Sequence, residues 1–309
     1  MQSWQSISDV PLHLPATAVT IGKYDGVHLG HQAVIKQLTE QASQRGLKSA
    51  VVTFDQHPNT VLAPERTPLP IIGNNQKREM LAALGLDFAI ELEFDLWLAS
   101  LSPREFTEQV LVNALHAKLV VIGDDFRFGA GGVGTVKTLQ DLGQELGFEV
   151  QAVAGLNIDG QRVSSTRIRE LLDLADVVSA AKLLGRNHVT TGVIEHGLKI
   201  GRTIGFPTAN MTRQCEGYLP LDGVYAGWLH CEGERYPAAL SVGTNETFQA
   251  VPRLVEAHVL DRLDLDFYDK VVSLEYVGYV RPSAKFDGVE ALVAEINRDL
   301  DKIRQMLAL

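Results

Sequence analysis

Gly22-Lys23-Tyr24-Asp25-Gly26-Val27-His28-Leu29-Gly30-His31 decides how the first half of this chain folds. Ala18-Val19-Thr20-Ile21, just before it, is apolar or β-branched and predicts a strand. Beyond it, Ala33, Val34, Leu38 and Ala42 recur at helical spacing. The stretch is therefore a strand-to-helix turn. Its helix N-terminus offers backbone N–H groups and the positive end of the helix dipole. Glycines such as Gly22 let the backbone come close to a ligand. Imidazoles at His28 and His31 can hydrogen-bond phosphate oxygens and stabilise charge that develops on them. The turn reads as a place to hold phosphate.

Working outward, strands are expected at 18–23, 49–54, 88–92, 119–122 and 149–154, with helices at 30–43, 76–83, 103–115 and 136–146 between them. This alternation predicts an α/β domain with a parallel sheet and helices on both faces. Ligands bind such sheets outside the carboxyl ends of the strands. The His28/His31 turn, the Asp55–Pro58 turn and the Gly123–Gly134 loop all lie at such ends. Two short helices follow over 164–184, with Asp176 placed to cap the second. After them come short β runs at 188–196, 224–230, 235–242, 253–261 and 271–280, separated by turns carrying Gly, Asp and Pro, which predicts an antiparallel barrel. Val289, Leu292, Val293, Ile296, Leu300, Ile303 and Leu307 then lie on one face of a long terminal helix, a stripe suited to packing on a core. At 309 residues two domains are expected. We place them at 1–184 and 185–309.

A net charge of −10 with no basic block argues against nucleic acid as a partner. No apolar run is long enough to span a bilayer, and Met1 to Pro15 lacks a cationic start and an apolar core, so neither membrane insertion nor secretion is expected. Cys215 and Cys231 form no Cys-x-x-Cys pair and read as free thiols of a reducing cytoplasm. The chain carries no signal for or against self-association. Small phosphorylated molecules remain the expected partners.

Three further elements join the opening turn. Thr53-Phe54-Asp55-Gln56-His57-Pro58 ends a strand on a histidine. Gly123–Gly134 holds five glycines around Asp125, Phe126 and Phe128 and is expected to be a flexible loop able to fold over a ligand. Its Asp124–Asp125 pair also suggests a cation, but adjacent side chains need not converge on one ion. Ser164-Ser165-Thr166-Arg167-Ile168-Arg169 puts three hydroxyls at a helix start, followed by two arginines, all donors for phosphate oxygens.

In the second half, Gly192–Asn210 contains Gly197, Gly201 and Gly205, which allow a tight loop around phosphates, followed by Pro207-Thr208-Ala209-Asn210. On an extended segment Thr208 and Asn210 face the same way, and their oxygens suit Mg²⁺ shared with a nucleotide. No Gly-Lys-Ser/Thr of a Walker A loop occurs there. In Arg253–Asp261, Glu256 and His258 share one face, and a carboxylate on a mostly apolar barrel strand needs a reason.

Taken together, these motifs, in this order, resemble the bacterial bifunctional riboflavin kinase/FMN adenylyltransferases, also called FAD synthetases. The resemblance runs nearly end to end. It implies a Rossmann-like nucleotidyltransferase domain and a riboflavin kinase barrel. It implies ATP, riboflavin and FMN as substrates and Mg²⁺ as cofactor. By the same resemblance Glu256 matches the kinase's catalytic base, and Thr208 and Asn210 hold the metal. His28 and His31 act on the α-phosphate with His57, while Ser164, Ser165, Thr166 and Arg169 hold the ATP phosphates. The Asp125–Phe128 segment lies near the flavin.

The chain departs from the family at four positions. Many members carry Asn-Phe at Lys23-Tyr24, and Lys23 either helps to bind phosphate or points to solvent. Many also carry Arg and Asp at Gly132 and Thr135, which leaves the flavin contacts of this loop open. Three rivals differ in class: a kinase with a degenerate first domain, a flavin sensor without turnover, and another nucleotidyltransferase. The last leaves the second half unexplained.

Overall fold

The structure, a computed structural model, describes residues 1–196, 201, 204–243, 253–262 and 264–309. They form two compact units: Met1–Pro70 with Asn74–Ser164, and Ile71–Gly73 with Ser165–Leu309.

The first unit runs β1 (Gln2–Trp4), β2 (Thr17–Ile21), α1 (Leu29–Arg45), β3 (Lys48–Phe54), α2 (Asn59–Leu62), α3 (Asn74–Ala83), β4 (Phe88–Leu92), α4 (Leu96–Ser100), α5 (Pro103–Phe106), β5 (Ala117–Gly123), α6 (Val136–Leu146) and β6 (Glu149–Val153). A small hairpin, β7 (Asn157–Ile158) and β8 (Gln161–Arg162), closes it. The six larger strands form one parallel sheet in the order β1-β4-β3-β2-β5-β6. Every residue of β2 is buried, as expected of a parallel strand covered on both faces. From β2 the chain builds β3 and β4 on one side, then returns to build β5 and β6 on the other. The reversal opens a crevice at the carboxyl ends of β2 and β5, where sheets of this kind bind ligands. Helices α1 and α6 stop at Gly46 and Gly147, both in the left-handed conformation that glycine adopts without strain.

The expected elements all form, with shifted ends. The helix predicted over 103–115 is regular only to Phe106 and continues as wider π-turns over Thr107–Ala114. The short strands β1, β7 and β8 and the helices α2 and α4 were not expected from the sequence.

In the second unit α7 (Ser165–Asp173) and α8 (Val177–Leu184) precede a closed six-stranded barrel in the order β10-β13-β12-β11-β14-β9. Its strands are β9 (His188–Glu195), β10 (Ala209–Met211), β11 (Gly223–Cys231), β12 (Glu234–Gly243), β13 (Leu254–Val259) and β14 (Val271–Arg281), all antiparallel. Asp176 caps α8 through the backbone N–H of Ser179 at 2.9 Å, as expected. By packing, α7 and α8 go with the barrel, whereas the sequence division after Leu184 groups them with the sheet.

The terminal helix α9 (Val289–Leu307) buries Leu300 and Ile303 on Ala226 and Leu260 of the barrel, with Ile296 and Leu307 alongside. Val289 departs from the predicted stripe: as the first residue of α9 it remains 58% exposed. Arg281 of β14 donates to both carboxylate oxygens of the buried Asp299 at 3.0 and 2.9 Å and fixes the helix on the barrel.

Candidate active sites

In the turn after β2, Tyr24 and Val27 adopt positive φ (51° and 40°), a strained conformation for bulky residues. Burial holds them there: each is 2% exposed, and the Tyr24 hydroxyl pairs with Thr20 Oγ1 at 2.7 Å. Gly22 makes room for the Tyr24 ring, since a Cβ at Gly22 would lie 3.1 Å from it. Gly30 does the same for His28, at 3.2 Å.

His28 caps α1, its Nδ1 accepting the backbone N–H of His31 at 3.3 Å. With Nδ1 an acceptor, the neutral ring carries its proton on Nε2, and any donation to a ligand comes from there. The two imidazoles stack with centroids 3.6 Å apart and planes at 14°. Burial holds His31 well below the ordinary histidine pKa, and the charges of His28 and Lys23 push it the same way. His31 Nδ1 is buried and has no hydrogen-bond partner among the described residues, an unsettled group for a ligand to satisfy.

His57 follows β3. Its Nδ1 accepts the backbone N–H of Asn59 at 3.1 Å, and its Nε2 lies 3.3 Å from Lys23 Nζ. The structure thus brings His57 to the same turn as His28 and His31. Helix α3 fixes the segment: Lys77 Nζ donates to Phe54 O at 2.6 Å and Asn74 Nδ2 to Asp55 O at 2.7 Å. Asp55 in turn accepts the Phe94 N–H at 2.9 Å. Burial lowers the Lys77 pKa, and Glu91 at 3.3 Å opposes the shift. Sequence reasoning missed Lys77, because a helical lysine normally reads as part of a solvated face.

The Gly123–Gly134 loop is not a free flap. Phe128 and Gly134 exchange backbone hydrogen bonds at 3.2 and 2.9 Å, pinning its base. Phe128 is 8% exposed within the core, against Phe106 and stacked on Phe126. Of the three residues expected near a flavin, Asp125 is exposed, Phe126 half-buried and Phe128 buried. Arg162 of β8 bridges Asp124 at 2.6 Å and Asp125 at 3.0 Å and holds the Asp124 carboxyl below its usual range. The sequence reading overlooked Arg162, whose hairpin is too short to show a period.

Ser164 ends the first unit, and Ser165 opens α7, which carries Thr166 and Arg169 in the second. The expected helix start is therefore present.

On the barrel, Asn210 of β10 lies directly opposite Glu256 of β13. The Thr208 side chain, two residues before Asn210, acts on the Glu256 carboxyl. Ser241 of β12 faces Glu256 from its other side. Burial raises the Glu256 carboxyl above its usual range, and the Thr208 side chain works against that shift. His258, on the same face, donates from Nδ1 to Pro207 O at 2.8 Å and meets Phe206 edge-on, so it positions the Pro207–Asn210 segment. Gly201 has no room for a side chain, since a Cβ would collide with Phe206 O. Gly205 takes φ +89°. Gly197 lies outside the described residues.

A cavity beside Thr208 is lined by Ile194, Asp266, Phe267 and Tyr268, and the Tyr268 ring meets His196 at 3.9 Å. These residues too were missed: a tyrosine and an acid in a loop carry no periodic signal. Among the described residues no cluster of three or more His, Cys, Asp or Glu forms a metal cage. A hydroxyl, an amide and one carboxylate instead fit a hard cation that keeps water and phosphate as its other ligands.

A family model described as FAD synthetase matches residues 11–167, and one described as riboflavin kinase matches 184–307. Proteins described as bifunctional riboflavin kinase/FMN adenylyltransferase are similar along nearly the whole chain. That of Listeria monocytogenes is 38% identical, over 94% of this chain and 92% of its own length. That of Haemophilus influenzae is 35% identical over 97% of both, and that of Escherichia coli 34% over 94% and 93%. A crystal structure from Streptococcus pneumoniae, described as a macrolide-efflux protein, superimposes with a TM-score of 0.89 at 31% identity over 98% of both chains. Among the described residues no helix is long and apolar enough to cross a membrane.

Proposed function

The chain belongs to the bifunctional riboflavin kinase/FMN adenylyltransferase family, and from that premise we propose how its residues divide the work. It phosphorylates riboflavin to FMN with ATP and adenylylates FMN with a second ATP to FAD, releasing pyrophosphate. Residues 185–309 carry the first reaction and 1–184 the second.

In the kinase reaction Glu256 takes the proton of the ribityl 5′-hydroxyl as its oxygen bonds to the γ-phosphorus, while the bond from that phosphorus to the β–γ bridging oxygen breaks and the electron pair leaves with ADP. Its raised pKa makes it a stronger base than a solvated carboxylate. Thr208 and Asn210 would hold Mg²⁺, which would neutralise phosphate charge, and Gly201 and Gly205 let the backbone approach the nucleotide together with Gly197. The cavity beside Thr208 takes the rest of the nucleotide.

In the adenylyl transfer a phosphate oxygen of FMN bonds to the α-phosphorus while the bond from that phosphorus to the bridging oxygen breaks, and the electron pair leaves with pyrophosphate. The attacking group is already an anion, so no general base is needed. His31, kept neutral, and His28 through Nε2 stabilise the charge that develops. His57, Ser164, Ser165, Thr166 and Arg169 hold the phosphates, Gly22 keeps the turn in shape, and Asp125 and Phe126 face the flavin with Phe128 supporting them. The enzyme works in the cytoplasm, without nucleic acid or membrane.

The observation that carries this reading is the convergence of Thr208, Asn210 and Glu256 on one barrel face. Incubation of the protein with riboflavin, ATP and Mg²⁺, with the flavins separated over time, tests it. FMN should rise first and FAD follow; folded protein that makes neither product contradicts the reading.

A further inference from the structure

A buried lysine costs the fold energy, and Lys77 of α3 is only 6% exposed. Its neighbour Glu91, equally buried, does not account for it. Arg78 already donates to Glu91 Oε2, from Nε at 2.8 Å and from Nη2 at 2.5 Å. Lys77 Nζ lies 3.3 Å from Glu91 Oε1 and makes its shorter bond elsewhere, to Phe54 O at 2.6 Å.

That carbonyl has a particular place in the sheet. The pairing of β2 with β3 ends at Ile21 and Val52, where Gly22 N–H donates to Val52 O at 3.0 Å. Carbonyls alternate between the two edges of a strand, so Phe54 O faces the same side as Val52 O, one rung further on. By then β2 has ended and the chain has entered the turn of Tyr24 and Val27. The Lys77 ammonium takes the place of the missing N–H. Asp25, in that same turn, favours the charged form of Lys77, as Glu91 does, against the effect of burial. Asn74, three residues before Lys77 on α3, donates to the next carbonyl, Asp55 O, at 2.7 Å. His57 stands two residues beyond Asp55.

We infer that Lys77 and Asn74 are positioning residues of the adenylyl transfer: by gripping two successive carbonyls at the carboxyl end of β3, they set where His57 stands relative to the His28/His31 turn. The inference rests on the adenylyl-transfer reading of that turn. Both residues act through His57 and not on the substrate. Displacing a group at a reaction centre by about 1 Å costs up to ~10²-fold in rate, so a support outside the site carries catalytic weight.

The test measures FAD formation from FMN and ATP by the full-length protein and by Lys77→Met, Asn74→Ala, His57→Ala and the two pairs with His57→Ala. Riboflavin phosphorylation on the same samples should be unchanged. Lys77→Met should lower kcat/KM for ATP about tenfold, the worth of one charge-assisted hydrogen bond. Asn74→Ala, at an exposed position, should lower it about threefold. In the His57→Ala background either substitution should cost less than about twofold, because the group it places is gone. A merely structural role gives the same loss with and without His57. Fully multiplicative losses therefore overturn the inference, as does unchanged FAD formation in a folded Lys77→Met protein. Should Lys77→Met not fold, Asn74→Ala decides by the same criteria. Imidazole NMR signals need no turnover. Those of His57, identified by their loss in His57→Ala, should move in Asn74→Ala, which removes no charge, while those of His188 stay. Unmoved His57 signals overturn the inference. Moved His57 signals in a protein that makes no FAD retain the positioning link and reject adenylyl transfer. FAD formation with multiplicative losses rejects the positioning link alone.

Discussion

Asn210 and Glu256 lie directly opposite each other across the β10–β13 ladder, and the Thr208 side chain acts on the same carboxylate. One antiparallel pairing thus sets a proposed base against one proposed metal ligand, with the other ligand two residues before it in the chain. Their spacing depends on strand register and not on loop conformation, because a slip of one residue would turn Asn210 to the other face.

The kinase should lose rate when this carboxylate is replaced. Glu256→Gln is expected to lower kcat for FMN formation by about 10²- to 10⁴-fold, the usual worth of a general base. FAD formation from supplied FMN should stay unchanged. Steady-state rates of the two half-reactions check this.

The same residue predicts a pH difference between the reactions. Burial raises the Glu256 pKa, so the base becomes protonated at a higher pH than a solvated glutamate. The acid limb of kcat/KM for riboflavin phosphorylation should lie above the ordinary carboxylate range and vanish in Glu256→Gln. The adenylyl transfer, with no base, should lack that limb.

A second titration concerns stability. His188 is 1% exposed, its Nε2 bound to Tyr218 O at 2.6 Å, and burial pushes its pKa down to about 4. The unfolded chain takes up a proton that the folded chain refuses, so His188 costs nothing above about pH 6.5 and destabilises progressively as pH falls toward 4. The loss amounts to about 3 kcal/mol. Urea unfolding of the protein and of His188→Gln between pH 7 and 4 should show the variant with the shallower decline.

The terminal helix should detach when its ion pair is broken on one side. Asp299→Ala leaves the Arg281 guanidinium poorly paired at a half-buried site and is expected to cost about 3 kcal/mol. Replacing both, as Arg281→Met with Asp299→Leu, should recover most of it, which denaturant unfolding can measure.

Much of this architecture was legible in the chain because its signals are periodic. The strand–helix alternation, the apolar run of β2 and the stripe through Leu300 and Ile303 each follow from burial on one face. The parts that were not legible lack a period. β1 is three residues long, and β7 and β8 are two each. The loop glycines suggested freedom, but Phe128 closes a bridge with Gly134 and enters the core, a pairing fixed only in three dimensions. At the proposed sites the histidines, Thr208 and Asn210 stood out by residue type and spacing, and Glu256 through the family resemblance. Lys77 and Arg162 could not, since their roles come from burial against Glu91 and from bridging two aspartates. The positive φ of Tyr24 and Val27 runs against their intrinsic preference and is imposed by packing.

The central claim is that one chain holds two separate catalytic centres joined by diffusible FMN. Complementation between Glu256→Gln and His28→Ala tests it most directly, with riboflavin, ATP and Mg²⁺ supplied and flavins quantified. Glu256→Gln alone should make almost no FMN, and His28→Ala alone should stop at FMN, its FAD formation reduced by roughly 10²-fold or more. A mixture of the two should make FAD. A mixture that makes no FAD, or a His28→Ala protein that makes FAD at the unaltered rate, contradicts the account.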